Sequence, residues 1–103
     1  MMRENGLVKL SEEAAEVIQV AQKLIQYPNL QEPLNPALDP ARAALFPTKH
    51  PDGTNLRLRL QDELGDLLAA VTFVVNKLKL DGEAIENRRD MKRNLFHQWD
   101  NEK

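Results

Sequence analysis

Two short acidic clusters carry the pattern that points most directly to chemistry: Glu12-Glu13-Ala14-Ala15-Glu16 and Asp62-Glu63-Leu64-Gly65-Asp66. Residues three apart on a helix are neighbours, so each cluster offers two carboxylates to one place. Two such helices facing each other would complete a four-carboxylate nest for a divalent cation. Oxygen-only ligands favour hard ions, which puts Mg²⁺ first and Mn²⁺ next, ahead of zinc or copper. Laid over one another the clusters match, Glu13 on Glu63, Glu16 on Asp66, Val17 on Leu67 and Ile18 on Leu68. At about 100° per residue each leading acid falls at the edge of its apolar stripe, with Glu16 and Asp66 roughly 60° further round.

Acids three or four apart also decorate ordinary solvated helices, and at this level that alternative stays open. Against it, Glu12 precedes Glu16 and Asp62 precedes Asp66 by four residues, a spacing at which like charges repel. The positions four after Glu16 and Asp66 are the apolar Val20 and Ala70, and Lys9 is the evident partner for Glu13. A bound cation would compensate this repulsion. A di-iron bundle requires Glu-x-x-His, and neither His50 nor His97 stands three residues after a glutamate. No Walker loop, dinucleotide fingerprint, EF-hand loop or nucleophilic serine motif is present.

The elements that must position these acids are helices. Leu7, Leu10, Ala14, Val17, Ile18, Ala21, Leu24 and Ile25 recur at helical spacing, which predicts a first helix from near Leu7 to Gln26, stopped by Pro28. All six prolines lie between Pro28 and Pro51, predicting a long ordered loop with a single helical turn opening at Asp39-Pro40. Asp52-Gly53-Thr54-Asn55 supplies a turn and an N-cap for a second helix ending near Leu80. The middle of that helix, Leu67 to Val75, is apolar nearly all round and must be buried on several sides. A third helix follows Asp81-Gly82, with Ile85, Met91, Leu95 and Trp99 as its inward residues and Arg88, Arg89, Lys92 and Arg93 as a basic face.

The 103 residues support one domain with one core, spanning the whole chain. Three helices cannot cover the second one alone, so the expected architecture is all-α, a three-helix bundle with a long Pro-rich loop, completed as a homodimer or homotetramer. A formal net charge of −2 with both signs interspersed argues against duplex nucleic acid as a partner. With no cysteine there is no disulfide, thiol nucleophile or cysteine-ligated metal. Met1 to Gly6 lacks the apolar run of a signal peptide, and Leu67 to Val75 is far shorter than a membrane span, so a cytoplasmic protein without a membrane partner is expected.

Acids that hold Mg²⁺ and bases that hold phosphate oxygens are the two halves of a nucleotide polyphosphate site. The strings Leu10-Ser11-Glu12-Glu13-Ala14-Ala15-Glu16-Val17 and Glu63-Leu64-Gly65-Asp66-Leu67-Leu68 resemble the EExxE and ExxD motifs of the MazG-type all-α nucleoside triphosphate pyrophosphatases. The segment Arg89-Asp90-Met91-Lys92-Arg93-Asn94 is similar, more loosely, to that family's C-terminal helix. The resemblance implies hydrolysis of a (d)NTP to the monophosphate and pyrophosphate, in service of nucleotide-pool house-cleaning. It further implies Glu13, Glu16, Glu63 and Asp66 as Mg²⁺ ligands and Glu12 as a further ligand or the base toward water. Lys92 and Arg93 would steady the polyphosphate, with Lys9, Arg57 and Arg59 as weaker candidates.

The proline-rich segment is longer than in compact members, so base contacts do not transfer by position. Tyr27, Phe46, His50 and Asn55 are candidates either for the base or for pinning the loop. Two alternatives remain: a phosphoribosyl-ATP pyrophosphatase-like activity, and a non-enzymatic helical oligomerisation module.

Overall fold

The computed structural model describes residues 6–31, 50 and 52–101. The long loop, its single helical turn and Phe46 lie outside the described residues. Among the described residues the architecture is three α-helices, α1 (Leu7–Gln26), α2 (Leu56–Leu78) and α3 (Gly82–Asn101), with a short 3₁₀ turn at Pro28–Leu30. Among the described residues there is no strand.

Each boundary has a local cause. Gly6 opens α1 at φ 91°, accepting from Leu10 N–H at 2.8 Å. A Cβ there would lie 2.6 Å from Phe73 Cδ1 and 2.8 Å from Val74 Cγ2, so the absent side chain is what lets α1 begin against α2. At the other end Pro28 cannot continue the helix, and the Gln31 amide returns to donate to the Leu24 carbonyl at 2.8 Å. Asn55 caps α2, its Oδ1 accepting from Leu58 N–H at 3.2 Å. Asp81 does the same for α3, accepting from Ala84 N–H at 3.1 Å. The second helix closes with Lys79 in the left-handed region (φ 55°) while Leu80 N–H reaches back to the Val75 carbonyl at 3.0 Å.

Helices α1 and α2 form an antiparallel pair. At one end Val20, Leu24, Leu30 and Leu56 make the buried core, with Tyr27 and Leu60 packed against it. At the other, Ala70 and Val74 are buried close to Gly6. The buried stripe of α1 is turned from the one expected: Val20 is enclosed, whereas Leu7, Ile18 and Ile25 are exposed. A single partner helix covers only a narrow seam, and the seam follows Glu13, Val17, Val20 and Leu24 at i, i+4, i+7 and i+11.

Within one chain the apolar middle of α2 is not enclosed on several sides, since Leu68 is 68% exposed. No residue of α3 is buried, so Ile85, Met91, Leu95 and Trp99 do not point into a core of this chain. That helix makes too few contacts with the α1–α2 pair for either to cover the other's apolar face.

Two substitutions with opposite signs test this backbone account. Gly6→Ala should destabilise by about 1–3 kcal/mol through overpacking against Phe73 and Val74 and a disfavoured φ. Lys79→Gly should stabilise by up to about 1 kcal/mol by relieving the left-handed residue. Urea unfolding midpoints at constant slope check both.

Candidate metal centre

The four acids lie midway along the antiparallel pair. Glu13 and Glu16 come from consecutive turns of α1, Glu63 and Asp66 from consecutive turns of α2. One carboxylate oxygen from each lies within 4.8 Å of the others. The four residues that the two sequence motifs pick out are therefore brought together by the packing of α1 on α2.

Glu13 and Glu63 do not sit at the edge of their stripes. Glu63 is in line with Leu56, Leu60, Leu67, Ala70 and Val74 along the buried side of α2, as Glu13 is with Val17, Val20 and Leu24 on α1. Each occupies a seam position where a leucine would ordinarily pack. The Glu63 side chain is only 14% exposed. Glu13 Oε2 and Glu63 Oε2 are both buried without a hydrogen-bond partner. A buried carboxylate oxygen with nothing to accept from is destabilising, and a cation is the group that satisfies it.

The electrostatics agree with the geometry. Burial raises the Glu13 carboxyl above its ordinary 4.5; the charges of Glu16 and Asp66 and a hydrogen bond with Glu16 add to this, and Lys9 opposes it. A hydrogen bond with Glu16 raises Glu63, followed by burial and the charges of Glu16 and Asp66, with Arg59 opposing. Both shifts arise because several negative charges converge on a partly buried seam. An all-oxygen donor set with two orphaned acceptors fits a hard divalent cation, and these four residues would hold it.

Other expected members stand elsewhere. Glu12 is outside the four-carboxylate group, exposed, and paired with Lys9 at 3.3 Å. Lys9 thus serves both acids: its ammonium pairs with Glu12 on the exposed flank, and its charge also favours the ionised form of Glu13, as the spacing predicts. Arg59 pairs with Glu63 at 3.8 Å across one helical turn, an i, i+4 pair legible in the sequence and missed there. Arg57 donates to the Gln31 carbonyl and so ties α2 to the end of α1.

On α3, Arg93 meets Asp90 at 3.5 Å, and Lys92 lines a shallow groove of that helix's own residues. Neither belongs to the acid cluster or to the groove beside it. Tyr27 and His50 stack edge to face with centroids 4.8 Å apart, and the Asn55 side chain is engaged as a cap. Asp52 accepts from Thr54 N–H at 2.9 Å and approaches His50 at 3.1 Å and Lys23 at 3.8 Å. Those residues fasten the start of α2 to α1 and hold Asp52 well below the ordinary carboxylate range, chiefly through Thr54.

The signs of these shifts predict how stability follows pH in metal-free protein. Glu13 and Glu63 have raised folded values, so their contribution is fully present below about 4.5 and is lost as pH rises through the raised values. Asp52 acts oppositely, its contribution present above about 3.8 and lost only as pH falls well below that. Thermal melts in chelator should therefore show stability increasing as pH falls from neutral toward about 4.5. Mg²⁺ at pH 7 should raise the melting temperature; Glu13→Gln or Glu63→Gln should abolish that rise and reduce the pH response, since the other raised carboxyl remains.

Compared with known proteins, the chain matches no family model, no curated protein and no solved structure.

Proposed function

We propose that this chain is a Mg²⁺-dependent nucleoside triphosphate pyrophosphohydrolase that converts a (d)NTP to the monophosphate and pyrophosphate. The observation that carries the reading is the convergence of Glu13, Glu16, Glu63 and Asp66 within 4.8 Å, with two buried oxygens lacking partners. The resemblance of the same residues to the EExxE and ExxD motifs of MazG-type enzymes supports it from the sequence side. Mn²⁺ is the next candidate ion by the same ligand chemistry. Among the described residues no helix is long and apolar enough to cross a membrane, which agrees with a nucleotide substrate met in the cytoplasm.

The chain's residues divide the work. Glu13, Glu16, Glu63 and Asp66 would hold the cation in a half-buried seam, where it would offset their mutual repulsion. When bound, Mg²⁺ draws charge from the phosphate oxygens and acidifies an associated water. Glu12, exposed one residue before the cluster, takes a proton from the attacking water or ligates a further ion. Lys9, on the turn before Glu13, meets phosphate oxygens at the site's margin. Lys92 and Arg93 would have to reach the phosphates from a second copy, since α3 of the same chain lies outside the cluster. The exposed Ile18, Leu64, Leu68, Ile85, Phe96 and Trp99 are the apolar surface that a homodimer or homotetramer would cover.

A panel of the eight common (d)NTPs with pyrophosphate detection tests this proposal. Release should require Mg²⁺ or Mn²⁺ and stop with chelator. Removing a residue that supports a metal ligand typically lowers activity about 10–100-fold, so Glu63→Gln, which removes a ligand, should lower it by more than about 100-fold. Absence of pyrophosphate from every (d)NTP, with the melting temperature of the unaltered protein indifferent to Mg²⁺ and its properties unchanged by Glu63→Gln, would leave a helical oligomerisation module as the better description.

A further inference from the structure

The acids would grip the phosphates, which leaves the nucleoside half of the substrate without an assigned place. Two cavities border the α1–α2 pair. One, of about 530 Å³, is lined by Ala21, Leu24, Ile25 and Leu60 with Arg57 and Gln31, and none of the four acids belongs to its wall. The other, of about 440 Å³, is lined by Lys9, Glu13, Asp66, Ala69, Ala70 and Phe73. Two cluster acids are therefore walls of the second cavity, so an occupant of it is continuous with the metal centre.

We propose that this groove between the first half of α1 and the second half of α2 holds the sugar and base of the nucleotide, with Phe73 as the platform on which the base stacks. The inference rests on the reading that a triphosphate is bound at the four acids. Asp66 and Phe73 are seven residues apart, so they share a face of α2 and stand about 10.5 Å apart along its axis. That span is comparable with the reach from the α-phosphorus across the sugar to the far edge of a base. Between them Ala69 and Ala70 have the smallest side chains that the helix could place there, which leaves the floor open.

Phe73 has the properties of a platform. It is 43% exposed although apolar, and one edge of its ring rests against the bare backbone of Gly6, whose added Cβ would lie 2.6 Å from Cδ1 and 3.1 Å from Cε1. The ring is thus located by the fold while remaining accessible from the groove. Lys77 Nζ stands over the ring, 5.5 Å from its centroid, in a weak exposed cation–π contact that a planar base can displace. Among the described lining residues there is no amide or hydroxyl side chain to read a base edge. Recognition by stacking is tolerant of base identity and strengthens with ring area, so purine nucleotides should bind ahead of pyrimidines.

Binding of a non-hydrolysable α,β-methylene dATP analogue with Mg²⁺, measured by calorimetry, tests the groove directly. Inorganic triphosphate serves as the probe of the phosphate half alone. Phe73→Ala and the groove-filling Ala69→Phe should each weaken the analogue roughly 10- to 100-fold, the range of a lost base–aromatic stack. Inorganic triphosphate should bind these variants as it binds the unaltered protein, and Phe73→Tyr should retain the analogue. Unchanged analogue affinity in both variants overturns the proposal, as does an equal loss of both ligands.

Pyrophosphate assays on the same proteins separate the two inferences. Turnover with a KM indifferent to Phe73→Ala and Ala69→Phe removes the groove and leaves the hydrolase. Binding that depends on Phe73 but yields no pyrophosphate removes the hydrolase and leaves the groove. Failure of the unaltered protein to bind the analogue removes both.

Discussion

The placement of two carboxylates inside a helix–helix seam is the constraint on which the rest of this structure depends. Glu13 and Glu63 take positions that the spacing of Val17, Val20 and Leu24, and of Leu60, Leu67 and Ala70, reserves for apolar packing. Glu16 and Asp66, one turn away on each helix, bring two further negative charges within 4.8 Å. An apolar seam gains by closing, whereas this one brings like charges together as it closes. The pair is held shut from its two ends, by Val20, Leu24, Leu30 and Leu56 at one and by Gly6 against Phe73 and Val74 at the other. Packing on both sides fixes the acids where isolated helices would separate them.

That arrangement couples stability to function. A site assembled from repelling groups is poised to gain from whatever neutralises it, and a proton or a cation each does so. The orphaned oxygens of Glu13 and Glu63 are where either would bind, and a divalent cation can be shared by all four carboxylates whereas a proton neutralises one. The groove beside them extends the same logic, because Ala69 and Ala70 continue the α2 face of Asp66 with small side chains that leave a groove flanking the closed seam. Polar nest and apolar groove are consecutive stretches of one interhelical line.

The third helix shows the other side of a small chain. It is capped by Asp81 and carries its apolar and basic residues at helical spacing, yet none of them is buried. Helices α1 and α2 likewise leave Ile18, Leu64 and Leu68 facing outward. Two helices offer one another a single seam, and the remaining apolar stripes need further surfaces. The same shortage explains why the basic residues of α3 are not at the acids within one chain.

Local signals in the sequence determined where the helices begin and end. Pro28 stops α1, Asn55 and Asp81 cap their helices, and the three-residue spacing of the acids fixes each pair on one flank, because these effects act within a turn of backbone. Periodicity also established that each helix has an apolar side, but it did not determine which part of a broad stripe would be covered. Only the tertiary structure decided that Val20 rather than Ile18 or Ile25 is enclosed, that Glu13 faces the seam while Glu12 stays on the exposed flank, and that Phe73 lies beside the acids. Those outcomes depend on the azimuth and register at which α1 meets α2, set by Gly6 at one end and Leu56 at the other, residues far apart in the chain. Chemistry was legible wherever it lay along one helix, and became visible only in three dimensions where two helices share it.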